Sequence, residues 1–150
     1  MSHFSEIKTE FKDQDSLIDA LVVAGVPRDW IEKHLEPQQI CDYKGNPTKY
    51  RWQDTQDKRF KSGDKAHVII RRSHLGSGHN DLGFYVSKTD ESFALICDWA
   101  RQKSGYNDKW LSKVRQQYAV CETEKHYARL GKKVHKVQEG GKIHLYIKAA

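Results

Sequence analysis

Cysteine is scarce in this 150-residue chain: Cys41, Cys97 and Cys121 are far apart and form no C-x-x-C pair. That pattern argues against a disulfide framework and against a cysteine-only zinc or iron–sulfur site. A reducing, cytosol-like compartment is the simplest setting for it. Long apolar runs are missing too. No stretch approaches the roughly 18 residues that would span a bilayer, so no transmembrane helix is expected. The opening Met1-Ser2-His3-Phe4-Ser5-Glu6 has neither a charged n-region nor an apolar h-region, and no secretory leader is expected. Internal repeats and low-complexity tracts are also absent. Apolar residues make up 37% and charged residues 31%, which implies a modest core under a heavily charged surface. The apolar residues fall in periodic blocks, and the length suits one domain spanning residues 1–150.

Positive charge is in excess, with a formal net of +6. Most of it sits between Thr48 and Arg72, where Lys49, Arg51, Lys58, Arg59, Lys61, Lys65, Arg71 and Arg72 face only Asp54, Asp57 and Asp64, a local net of +5. Tyr50, Trp52 and Phe60 are interleaved with these charges. Such a surplus favours anionic partners.

Ile7, Thr9 and Phe11 alternate with Lys8 and Glu10 and predict a strand. Asp13 and Asp15 offer N-caps to a helix whose stripe is Leu17, Ile18, Leu21 and Val22, with Gly25 as its C′ residue and Pro27 beyond. Trp30, Ile31 and Leu35 suit one face of a second short helix that Pro37 stops. A short strand is expected at Gln39–Tyr43, then a turn at Lys44-Gly45-Asn46-Pro47. Further strands are predicted at Ala66–Arg72, Leu82–Ser87 and Ser92–Trp99, with short connections that make them antiparallel. Asn107 or Asp108 caps the longest helix, with Trp110, Leu111, Val114, Tyr118 and Cys121 as its buried stripe and Gly131 at its end. Gly140-Gly141 joins a closing hairpin in which Ile143, Leu145 and Ile147 face one way and His144, Tyr146 and Lys148 the other. The order β-α-β-β-β-β-α-β-β, with two main helices on one face of a mostly antiparallel sheet, is a two-layer α+β sandwich.

Several blocks carry a family resemblance. They are Met1 to Thr9; Asp42-Tyr43-Lys44-Gly45 with Thr48-Lys49; Asp81-Leu82-Gly83-Phe84; Phe93 to Trp99; Trp110 to Val120 with Gln117-Tyr118-Ala119; and Gln138 to Ile143. Taken in order, the set resembles the "hypothetical chloroplast reading frame thirty-five" proteins of cyanobacteria and algal plastids, a domain of unknown function. Against that pattern, about 51–64 looks inserted, as does part of Val26–Glu36. The resemblance implies a cytosolic or stromal location and an accessory protein, not a metabolic enzyme.

The candidate binding residues are Lys49, Tyr50, Arg51, Trp52, Lys58, Arg59, Phe60, Lys61, Arg71 and Arg72. On nucleic acid, the cations would neutralise phosphates while the rings stack on unpaired bases, although no RNA-binding signature accompanies them. On a protein, the same cations would meet an acidic surface. Read without function, the segment is a charged loop anchored by its aromatics. His67, His74 and His79 lie near one another in sequence, but zinc needs three or four convergent ligands and no further pair has ligand spacing. No metal and no cofactor are expected. Gly76-Ser77-Gly78 leads into a strand and not a helix, so it is not a P-loop. Asp81 and Asp98 have no partner at diagnostic spacing, and Cys97 has no histidine placed to activate it. No catalytic residue is assigned. Lys109, Lys113, Arg115, Lys125 and Arg129 give the long helix a basic outer side. The expectation is a non-catalytic accessory or interaction module that binds an acidic macromolecule away from any membrane, with nucleic-acid binding through 48–72 as the alternative and the oligomeric state left open.

Overall fold

The computed structural model describes residues 5–47, 65–76, 78–86, 91–97 and 105–149. A first strand, β1 (Ser5–Lys8), leads to helix α1 (Gln14–Val23) and a single 3-10 turn at Arg28–Trp30. Four strands follow: β2 (Ile31–Gln39), β3 (Lys65–Ile70), β4 (Leu82–Val86) and β5 (Phe93–Cys97), with a four-residue helix α2 (Arg72–Leu75) between β3 and β4. Helix α3 (Asp108–Arg129) and the strands β6 (Lys132–Glu139) and β7 (Lys142–Ala149) close the chain. Five strands form one antiparallel sheet in the order β1-β5-β4-β3-β2, and β6 pairs with β7 in a separate two-stranded sheet. The fold is α+β.

Caps set the helix limits. The Asp13 side chain accepts from the Asp15 N–H, and Val26 N–H bonds back to the Leu21 carbonyl across Gly25 at φ 110°. The Asn107 side chain accepts from the Trp110 N–H, and Gly131 at φ 72° bonds to Ala128 just past the end of α3. Helices α1 and α3 lie together on one face of the sheet. Leu17 and Leu21 of α1 and Leu111 and Val114 of α3 bury against Val68, Ile70, Leu82, Phe84, Phe93 and Leu95. The side chains of the opposite face, Ile69, Tyr85, Ala94 and Ile96, form a second buried cluster with Ile40 and Ala66. Both faces are buried, which is why the central strands read as near-continuous apolar runs.

One expected element is different in kind. Trp30–Leu35 is not a helix: the chain leaves the 3-10 turn at Trp30 and enters edge strand β2, in which Ile31, Glu32 and Lys33 pair with Ile70, Ile69 and Val68. The apolar spacing of Trp30, Ile31 and Leu35 suits a helix, but pairing with β3 overrides it. The register shifts between Lys33 and Gln38, and Pro37 sits in that irregular stretch, where a missing N–H costs least. Leu35, projecting from the same stretch, is 97% exposed. Of the strand expected at Gln39–Tyr43, Gln39 closes β2 and Cys41 makes an isolated bridge to Pro47.

Candidate functional site

The polar centre of the fold lies where β3 ends. Asp81 is 1% exposed. Its carboxylate accepts from the backbone N–H of Arg72 at 2.6 Å, from the N–H of Cys41 at 2.8 Å, and from Arg71 Nη1 at 3.2 Å. Arg71 reaches the other way as well. Its Nε and Nη2 donate to Glu32 of β2 at 2.9 and 3.1 Å, and Nη1 donates to the Gln39 carbonyl at 2.8 Å. Arg72 closes the opposite side, donating through Nε to the His79 carbonyl at 3.0 Å and through Nη2 to the Tyr43 carbonyl at 2.7 Å. The hydrogen bond from Arg71, joined by the His34 contact and the Arg71 charge, outweighs burial and holds the Glu32 carboxyl below its usual range. The pairing with Glu32 in turn raises the Arg71 guanidinium.

This knot ties together β2, the 41–47 turn, the β3 exit and the β4 entry. It places Arg71 and Arg72, the two candidate binding residues within the described structure, with their guanidinium groups turned into internal hydrogen bonds. Lys49, Tyr50, Arg51, Trp52, Lys58, Arg59, Phe60 and Lys61, and with them the insertion-like stretch at about 51–64, lie outside the described residues. Asp98 does so too.

The histidines go different ways. The Nδ1 of His67 accepts the Val86 N–H at 3.1 Å, and its ring leans on Tyr85. His74 stacks on Trp30 with ring centroids 5.1 Å apart. His79, 1% exposed, meets the edge of Tyr106, which in turn packs against Trp110. Among the described residues no group of three or more His, Cys, Asp or Glu side chains converges where it could hold a metal. Cys41 and Cys121 are free thiols, and burial pushes both up from their usual value.

On α3 the expected basic outer side is incomplete. Lys125 turns toward α1, where its ammonium meets Asp13 at 3.1 Å and Ser16 at 2.7 Å. Lys109, Lys113 and Arg129 stay exposed.

Charge exposed on the closing hairpin was not among the candidate residues. Lys136 of β6 pairs with Glu124 of α3 at 3.2 Å, and Gln116 Nε2 donates to the Gly141 carbonyl at the hairpin tip at 3.2 Å. The hairpin therefore folds back along α3, with Val134, Ile143 and Leu145 on the side of Lys136. Strand alternation turns Lys133, Lys142 and Lys148 to the opposite side, together with His135 and His144. The signal was legible in β7, where His144, Tyr146 and Lys148 alternate with Ile143, Leu145 and Ile147, but not in β6, where Val134 and Val137 fall on opposite faces.

No helix among the described residues is long and apolar enough to cross a membrane. No curated protein and no solved structure matches the chain. A family profile described as "Protein of unknown function (DUF1257)" matches residues 46–145, a span that includes β3 to β6, the Arg71, Arg72 and Asp81 members of the knot and the whole basic segment. With two thirds of its length matched, the chain belongs to the DUF1257 family.

Proposed function

We propose that the protein is a non-catalytic interaction module whose partner is an acidic macromolecule. The observation that carries this reading is the concentration of charge between Thr48 and Arg72, eight basic residues against three acidic ones. Arg71 and Arg72, at the segment's far end, are drawn into internal hydrogen bonds at the exit of β3, so the reading rests on the six basic residues before them, Lys49, Arg51, Lys58, Arg59, Lys61 and Lys65. The most buried carboxylate there, Asp81, is already held by two N–H groups and a guanidinium. It is built as a structural acceptor. An acidic protein surface is the favoured partner, and nucleic acid engaged by the cations with Tyr50, Trp52 and Phe60 is the second reading. The resemblance to the chloroplast reading frame thirty-five proteins would place this work in a cytosol or plastid stroma, and the free thiols of Cys41 and Cys121 fit a reducing compartment.

The test is charge reversal of Lys58, Arg59 and Lys61 to Glu, with binding measured against immobilised polyglutamate and against single-stranded RNA. Loss on polyglutamate supports the first reading, and loss on RNA alone supports the second. If the triple variant binds both as the parent does, the segment is not the docking surface.

A further inference from the structure

We infer that the outward face of the β6–β7 hairpin is a docking surface for double-stranded DNA, presented as a two-stranded ribbon to the major groove. The inference rests on the reading that this chain engages an acidic macromolecule, but it assigns a different surface and a specific partner.

The first support is orientation. The Lys136–Glu124 pair and the Gln116–Gly141 hydrogen bond fix one face of the hairpin against α3. Cross-strand register then fixes what points away: Lys133 opposite Lys148, His135 opposite Tyr146, Val137 opposite His144, and Glu139 opposite Lys142. All of these except Val137 are exposed. The second support is charge. Three lysines and two histidines share this face with a single carboxylate, and none of the three lysines has an ion pair among the described residues. Lys133 and Lys148 sit directly opposite each other. Like charges in that position destabilise a sheet, so the pairing costs stability unless a polyanion lies across it.

The shape narrows the polyanion. Two strands of eight residues make a ribbon about 26 Å long, and the major groove of B-form DNA, about 12 Å wide, admits such a ribbon. Lys133 and Lys148 near its base and Lys142 at its tip would meet phosphates at separate points along the groove. Single strands are usually bound on stacked aromatic platforms, and this face carries three rings, Tyr146, His135 and His144, so preference for a single strand is the competing outcome of the test. The major groove of an RNA duplex is too deep and narrow to admit a ribbon.

The test is fluorescence anisotropy with a labelled 20-base-pair DNA duplex, titrated with salt. It compares the parent chain, a Lys133→Gln, Lys142→Gln, Lys148→Gln variant, and the Lys58→Glu, Arg59→Glu, Lys61→Glu variant. Circular dichroism confirms that each variant is folded, and single Lys→Gln changes replace the triple if it is not. The expected result is duplex binding by the parent, weakened roughly tenfold or more in the hairpin variant, with the magnitude of its salt slope reduced by about three. Adding the hairpin changes to the segment variant should reduce its salt slope by the same amount. Three results would overturn the proposal. They are no duplex binding by the parent at low salt, an unchanged affinity in the folded hairpin variant, or tighter binding to single-stranded RNA than to the duplex. Each leaves the polyglutamate result for the segment variant standing, so the two readings fail separately.

Discussion

Asp81 and Gly83, two residues apart on the approach to and within β4, show how closely this fold is specified at single positions. Asp81 gathers two backbone N–H groups and one guanidinium in a place where unpaired donors would be costly. Gly83 faces Ile69 of β3 in register, and a Cβ there would lie 2.7 Å from the Ala66 Cβ and 3.4 Å from Ile40 Cγ2. Its φ lies outside the left-handed region, so the requirement is space and not backbone conformation. Gly83→Ala should therefore destabilise the protein by about 1–3 kcal/mol through overpacking, read as a lower midpoint in urea unfolding. An unchanged midpoint would mean that β3 and the Ile40 turn shift to accommodate the methyl group.

At the scale of elements, the contact of α1 with α3 depends on polar groups at its rim as well as on its apolar stripe. The Tyr118 hydroxyl of α3 accepts from the backbone N–H groups of Lys12 and Asp13, each at 2.9 Å, at the point where the chain enters α1. Its ring packs on Phe11 with centroids 4.7 Å apart. Tyr118→Phe keeps the ring and removes the acceptor, and should cost about 1–2 kcal/mol in thermal unfolding. A loss near zero would show that water replaces the hydroxyl at this rim. The Lys125–Asp13 pair beside it is roughly a third exposed and contributes less, about 0–1 kcal/mol. The hairpin is thinly covered, with Ile147 44% and Tyr146 52% exposed.

Across the whole molecule, acid should loosen two of the ties between layers and strands. Glu32 is held below its usual range by Arg71. Asp13 is also lowered, since Ser16 and Lys125 together outweigh the upward push of burial. A carboxyl whose folded value is depressed contributes stability above its unfolded value and loses it as pH falls through the folded one. Stability should therefore be flat from neutral pH down to about 4.5 and decline below it. Glu32→Gln combined with Asp13→Asn should flatten that decline in a series of urea titrations from pH 6 to pH 3. If the double variant declines as steeply as the parent, other carboxylates govern acid stability.

Much of this was legible in the sequence because it is local. Asp13 and Asn107 as caps, Gly25 and Gly131 as stops, the two-residue glycine turn of the hairpin and the alternation of Ile143, Leu145 and Ile147 each depend on near neighbours in the chain. The α+β class, the two main helices, the closing hairpin and the surplus of positive charge can all be read from the sequence. Tertiary structure decided where the contest was between local and distant partners. Trp30–Leu35 has helical spacing, yet its backbone pairs with β3 across more than thirty residues. Arg71, Arg72 and Lys125 look like free surface cations in one dimension. Only the folded chain brings Glu32, Asp81, the Tyr43 and His79 carbonyls, and Asp13 to meet them. The same limit applies to the hairpin: its sequence shows which residues share a face, but only packing against α3 decides which face is left to meet a partner.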